Sequence, residues 1–350
     1  MASWSVCSTV AEPPELLCAF AAHYLALGAQ EVHLFLDAPD DTTVEMLSKI
    51  DGVRLTLCTE KYWLETNGKR PPGHLMRQIK NANRGYAQCT TDWFFFCDAD
   101  EFLVSKTEVA HALSEVPAEI AFCRPQMAER IFEADQPQVG LFDGRIRKML
   151  PPHPALIREI YGDLAEMTTR GLTGHVIGKS FVRTGQADLR IRIHFPVPRD
   201  GAQEEAMRRE GSLKPGPFLP ESWLVHFDGM TSLHWQLKLL RFYLDYAPLL
   251  EADKKGVFTK RTAARSRQLN ALYESRGDKA ALNRLIGLIK LEPAVLAKLA
   301  AADGLLDLDC DPATEARALF GSALTLSVAD FDATLRVRYG NLIKDYELLT

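Results

Sequence analysis

The stretch Trp93-Phe94-Phe95-Phe96-Cys97-Asp98-Ala99-Asp100-Glu101-Phe102 constrains the fold of this chain more than any other. Five apolar residues in a row read as a strand covered on both faces, as in a parallel sheet between helices. The strand runs directly into three carboxylates within four positions. Such carboxylates repel one another unless a cation compensates them. In open α/β sheets, ligands bind just beyond the carboxyl ends of the strands. Mg2+ and Mn2+ prefer oxygen donors and commonly bridge one or two carboxylates to substrate phosphates. Asp98-Ala99-Asp100 therefore reads as a metal–phosphate site at the end of a sheet. An isolated D-x-D is more often a solvated acidic turn, but the apolar strand ahead of it and the motifs below outweigh that reading.

The first 125 residues alternate strand and helix signals. Ser5–Val10 reads as a strand, and Glu12-Pro13-Pro14 opens a helix whose apolar residues are Leu16, Leu17, Phe20, Tyr24 and Leu27, with Gly28 as its stop. Val32–Leu36 and Val53–Leu57 are further strands, and Thr42 with Glu45 fits a capping box between them. A helix is predicted over His74–Gln88, followed by strands at Trp93–Cys97 and Ile120–Arg124. This order implies a parallel sheet with helical crossovers. Beyond Arg124 the rhythm breaks, with a basic knot at Arg145, Arg147 and Lys148 that reads as solvated. Strand-like segments return at Val176–Arg183 and Leu189–Phe195. From Leu233 onward the pattern is helical, with turn signals near Gly256, Gly277, Gly304 and Pro312. The expected division is an α/β unit over residues 1–230 and a helical extension over 231–350.

With 47% hydrophobic and 25% charged residues and a net charge of −5, nothing favours nucleic acid or an anionic membrane as a partner. The seven cysteines are scattered, form no C-x-x-C pair, and read as buried free thiols of a reducing compartment. No 18-residue apolar run and no signal-peptide pattern occur, so a cytoplasmic protein is expected, with at most peripheral membrane contact.

Three ordered landmarks carry a family resemblance over about 230 residues. They are Asp37-Ala38-Pro39-Asp40-Asp41-Thr42-Thr43, Arg77-Gln78-Ile79-Lys80-Asn81-Ala82-Asn83-Arg84-Gly85 and Phe96-Cys97-Asp98-Ala99-Asp100-Glu101-Phe102. Together they resemble the D-x-S-x-D-x-T loop, the A-R-N-x-G helix and the D-x-D-E-F strand end of glycosyltransferase family 2-like proteins of the GT-A fold. The central Ser of the first motif is absent here. Trp223-Leu224-Val225-His226-Phe227 resembles that family's H-F/Y element, and Gly178-Lys179-Ser180 a glycine–lysine strand.

The resemblance implies a GT-A fold with a helical C-terminal extension, and metal-dependent transfer of a sugar from a nucleoside-diphosphate sugar to a glycan or lipid-linked acceptor. A UDP- or GDP-sugar donor, an inverting course and a role in surface polysaccharide synthesis follow by family analogy. Charge grows on the diphosphate as the glycosidic bond breaks, and Mn2+ or Mg2+ at Asp100 would stabilise it. Asp98 would meet the ribose hydroxyls or the metal-bound water, and His226 is a further candidate ligand. Thr9 and Asp37 would border base and ribose, with Arg77 or Lys80 as a cation near base or pyrophosphate. Glu129 and Asp228 are the candidate carboxylate bases for the attacking hydroxyl. Trp223 and Trp235 suit either sugar stacking or the core.

Rival readings stay open. A haloacid-dehalogenase-type phosphatase also places D-x-D after an apolar strand, but its motif calls for Thr or Val where Phe102 stands, and on an earlier strand. A dinucleotide-binding dehydrogenase is disfavoured because Ser8-Thr9-Val10-Ala11-Glu12 follows the first strand in place of G-x-G-x-x-G. A non-catalytic nucleotide-sugar-binding protein is the non-enzymatic alternative.

Overall fold

Apolar strands separated by helices bury both faces of a sheet only when the helices cover them, and the chain does this. The structure, a computed structural model, describes residues 1–252 and 263–349; the turn expected near Gly256 lies outside them. Strands β1 (Trp4–Val10), β2 (Glu31–Leu36), β3 (Val53–Leu57) and β4 (Trp93–Phe96) are parallel and lie in the order β3-β2-β1-β4. Helices α1 (Pro14–Ala26), α2 (Asp41–Leu47), α3 (Glu60–Asn67) and α4 (His74–Gln88) fall between them in the chain. The fold is mixed α/β, a mostly parallel sheet flanked by helices, with further helices toward the C-terminus.

Further along come β5 (Glu101–Ser105), β6 (Phe122–Glu133), β7 (Arg145–Lys148) and β8 (Phe181–Arg183). The aromatic strand β4 is interior, with β1 parallel on one side and β8 antiparallel on the other. The strand expected at Ile120–Arg124 is longer than the sequence suggests and joins the sheet antiparallel to β8, not parallel. Its direction depends on a partner about 60 residues away, which no local pattern encodes. Of the strand expected over Leu189–Phe195, only Leu189–Arg190 pairs, with Val197–Pro198. The Ile191 N–H goes instead to the Asn83 side chain. The Thr42–Glu45 capping box is replaced by Asp40, whose carboxylate accepts from the Thr43 N–H at 2.8 Å; it sits one residue ahead of α2 in an extended conformation suited to that reach.

The chain divides into two compact units. One comprises Met1–Gln126, Ile177–Leu224 and Thr314–Leu324; the other comprises Met127–Val176, Val225–Ala313 and Thr325–Thr350. Their interleaved bounds differ from the single boundary expected near residue 230.

The first unit is built on Trp4, Phe20, Tyr24, Phe35, Phe94, Phe95 and Phe102, all fully buried. Phe95 stacks on Phe181 with centroids 4.2 Å apart. Helix α4 lies so close to the sheet that a Cβ at Gly85 would stand 3.1 Å from Cys7 Sγ and 3.4 Å from rings of Phe35 and Phe94. The glycine of the Asn83-Arg84-Gly85 motif thus sets how near α4 approaches β1, β2 and β4. In the second unit, β6 and β7 pair antiparallel, with Glu129 opposite Arg147. The C-terminal region is not wholly helical: Lys290–Leu291 adds to β6 and Leu305–Leu306 to β7. Ile131, Leu150, Ile160, Tyr161, Leu291 and Leu299 form its apolar core. Among the described residues, no helix is long and apolar enough to cross a membrane.

Candidate active site

In the first unit, β2 and β3 lie to one side of β1 and β4 to the other. The chain reverses its order across the sheet at β1 and β4, which is where open α/β sheets leave a crevice for ligands. Thr9, Asp37 and Asp98 stand at the carboxyl ends of β1, β2 and β4. Thr9 Oγ1 is buried and makes no hydrogen bond among the described residues. A buried hydroxyl without a partner is costly, and a ligand at the strand ends would relieve it.

Asp37 is buried. Its Oδ2 accepts from Arg77 Nε at 2.8 Å, and its Oδ1 and backbone oxygen accept from Arg70 Nη2 at 3.0 and 3.1 Å. Burial pushes this carboxyl up, but His74 and the Arg77 and Arg70 guanidiniums together hold it below the usual carboxylate range. Arg77 also donates to the carbonyls of Pro71 and Pro72 at 2.9 and 2.7 Å. Through Nε and Nη1 it therefore pins the loop before α4 to the end of β2.

At Asp98, Oδ1 accepts from Gln78 Nε2 at 2.7 Å and Oδ2 from Lys179 Nζ at 2.8 Å. Glu101, fully buried, folds back to accept from the Asp98 N–H at 2.8 Å, closing the acidic loop on itself. Lys179 Nζ also lies 3.7 Å from Glu101 Oε2. Burial lowers the lysine's affinity for its proton, but Asp98 and Glu101 outweigh this and raise its pKa, so the ammonium is permanent. Lys179 is the cation that the carboxylate cluster demands, and the sequence signal for it was the glycine–lysine strand.

This bears on the expected divalent ion. The donors are carboxylate oxygens, the right chemistry for Mg2+ or Mn2+, and oxygens of Asp98 and Glu101 lie within 4.8 Å of each other. The Lys179 ammonium already stands 2.8 Å from Asp98 Oδ2 and 3.7 Å from Glu101 Oε2, so a divalent cation at these two carboxylates would share them with a fixed positive charge. Asp100, the expected principal metal ligand, is buried in the same loop. Lys80, the alternative to Arg77 as a cation near base or pyrophosphate, is exposed. Gln78 and Asn81 are buried on the inner side of α4, Lys80 and Arg84 are exposed on its outer side, and the half-buried Arg77 lies on the flank between them.

The second unit gathers Glu129, His226 and Asp228, all buried. Glu129 Oε2 accepts from Arg147 Nη2 and from the Thr173 N–H, both at 2.8 Å, and Oε1 accepts from the Gly174 N–H at 2.6 Å. Burial pushes this carboxyl up, yet Arg147 and His226 outweigh it and bring the pKa down to about 2. Asp228 accepts from Trp235 Nε1 at 3.1 Å, from Lys238 Nζ at 3.0 Å and from Arg265 Nη2 at 3.0 Å. Arg265 and Lys238 overcome burial and hold Asp228 well below the usual carboxylate range. Several donors hold each of these carboxylates in its ionised form, which tells against a general base at either position. They are anchors: Glu129 fixes the Thr173-Gly174 turn, and Asp228 fixes the helices carrying Lys238 and Arg265.

His226 accepts from Lys238 Nζ through Nε2 at 3.1 Å, and its Nδ1 faces Glu129 Oε1 at 3.6 Å. An ammonium thus faces one ring nitrogen of this candidate metal ligand and a carboxylate the other. Arg147, read as solvated, is fully buried, because alternation along β7 turns it toward Glu129. Trp235 is a core residue, whereas Lys106 lies over the partly exposed ring of Trp223, 5.6 Å from its centroid. Gln78, Arg70, Thr173, Lys238 and Arg265 carried no sequence signal that singled them out.

No family model and no curated protein matches the chain. Solved structures similar to it include S. aureus TarS 1–349, at 14% identity over 82% of this chain and 81% of that one, with a TM-score of 0.32. The same protein in complex with UDP-GlcNAc gives 14% identity, 86% and 79% coverage and a TM-score of 0.33. The mannosyltransferase PcManGT from Pyrobaculum calidifontis, in complex with GDP-Man and Mn2+, gives 14% identity, 99% and 84% coverage and a TM-score of 0.32. Overlaps this loose carry no weight for activity.

Proposed function

We propose that the chain is a glycosyltransferase of the GT-A type, similar to family 2 proteins, that takes a nucleoside-diphosphate sugar as donor. The observation that carries this is the convergence of Thr9, Asp37 and Asp98 on the carboxyl ends of adjacent parallel strands where the strand order reverses. Thr9 and Asp37 would border the base and ribose of a UDP- or GDP-sugar. Gln78 and Lys179 hold both oxygens of Asp98, so that carboxylate is pre-oriented for the ribose hydroxyls. Asp100 would hold Mn2+ or Mg2+; when bound, the ion supplies Lewis-acid stabilisation to the departing diphosphate. The acceptor is a glycan or lipid-linked sugar, and Glu129 and Asp228 are the carboxylates near which its hydroxyl would be deprotonated only if their donors let go. Residues 1–230 carry the donor site in this reading, and 231–350 form the extension.

The test is calorimetric titration with a panel of UDP- and GDP-sugars, with Mn2+ and with chelator. Asp98→Asn should weaken donor binding at least about tenfold, since a charge-assisted hydrogen bond to the donor is lost. Asp100→Asn should remove the Mn2+ dependence. Donor affinity untouched by both substitutions would sink the assignment.

A further inference from the structure

Helix α4 has a second functional face. On its outer side, away from the buried Gln78 and Asn81, it borders a cavity of about 420 Å³. That volume lies in the range of small-molecule sites and is too small for a macromolecular groove. Lys80 and Arg84 reach the cavity from α4, and Arg190, Arg192 and Arg199 reach it from the segment containing the Leu189–Arg190 and Val197–Pro198 pair. Five cations thus line one cavity, and among the described residues no carboxylate lines it. This occurs in a chain whose net charge is −5.

The arrangement is built, not incidental. Asn83 donates to the Ile191 carbonyl at 2.9 Å and accepts from the Ile191 N–H at 2.9 Å, clamping the residue between Arg190 and Arg192 onto α4. Arg199 is fixed by its donations to the carbonyls of Ala187 and Leu189 at 3.0 and 3.1 Å. Glu204 pairs with Arg190 and Arg192 from outside the cavity lining and orients them, while also taking Arg208. Even so, Arg190 Nε is buried and has no hydrogen-bond partner among the described residues. Arg84 lies over the Tyr62 ring, 5.4 Å from its centroid, which gives the site one aromatic wall. Cations held together by backbone clamps, with a buried guanidinium nitrogen unmatched, lack only an anion with several acceptor oxygens.

We propose that this cavity binds a small phosphorylated molecule, its phosphate or diphosphate held by Lys80, Arg84 and Arg192, as a site separate from the one at Asp37 and Asp98. The phosphate belongs either to a free ester or to a lipid headgroup. The inference does not depend on the glycosyltransferase reading, because none of Thr9, Asp37, Gln78, Asp98, Asp100 and Lys179 lines the cavity.

Inorganic pyrophosphate is the probe. Calorimetry of the full chain should show saturable binding that weakens with added salt, and Lys80→Ala/Arg84→Ala should weaken it at least about tenfold. Both side chains lie on the outer face of α4, so thermal unfolding of the double variant should match that of the parent. Arg192→Gln provides a second, independent loss from the facing segment. UDP and GDP should not compete. Co-flotation with phosphatidic acid vesicles, against phosphatidylcholine vesicles, separates the two sources: capture lost in the double variant assigns a lipid phosphate, and pyrophosphate binding without capture assigns a free ester. Absence of saturable pyrophosphate binding, binding unchanged in both variants, or displacement by UDP or GDP would each overturn the proposal.

Discussion

Glu129 and Arg147 face each other across two antiparallel strands, fully buried, with Arg147 Nη2 2.8 Å from Glu129 Oε2. The pair does not stand alone. Arg147 Nη1 also donates to Tyr161 Oη and to the Leu288 carbonyl, and Glu129 takes the Thr173 and Gly174 N–H groups. Every oxygen of the carboxylate is used to hold backbone in place.

Breaking a buried pair leaves one charge uncompensated, which costs about 3–5 kcal/mol. Glu129→Gln should therefore lower unfolding free energy by roughly that amount, measured by urea denaturation followed by circular dichroism. Replacing both residues by leucine should cost less than the sum of the single changes, because no lone charge remains. A Glu129→Gln protein within about 0.5 kcal/mol of the parent would show that the pair does not anchor the unit.

The same carboxyl makes a pH prediction. Its pKa falls from an ordinary 4.5 to about 2 on folding. A depressed carboxyl stabilises the fold fully above its unfolded pKa and loses that contribution as pH drops through the folded value. Glu129 should thus contribute on the order of 3 kcal/mol above about pH 5, lost between there and about pH 2. Comparing the pH dependence of the parent with that of Glu129→Gln isolates this term from other carboxylates. Parallel profiles over that window would contradict it.

Gly174 tests the packing of the turn. A Cβ there would stand 2.7 Å from His226 Nδ1 and 2.9 Å from Glu129 Oε1. Gly174→Ala should cost about 1–3 kcal/mol by overpacking, read as a lower melting temperature. Gly73→Ala, at the N-terminal cap of α4 with nothing within 4 Å, is the control and should be close to neutral. Equal melting temperatures for the two variants would remove the close approach at Gly174.

Much of the first unit was legible in the chain itself. The apolar runs of β1, β2, β3 and β4 and the bounds His74–Gln88 of α4 are local patterns, and local patterns suffice to place parallel strands and their helices. The end of β4 in Asp98-Ala99-Asp100 follows equally from adjacency in sequence. Tertiary structure alone decided what those carboxylates do. Lys179, which meets Asp98, lies 81 residues away, and Arg77, which meets Asp37, lies 40 away. Which face of α4 carries Lys80 follows from helical periodicity, but the arginines that join it come from residues 190–199. The reversal of β6 against β8, and the donors that surround Glu129 and Asp228, came from the same source. An ionisable side chain has no fixed chemistry until its partners and its burial are set, and both are properties of contacts between segments distant in the chain.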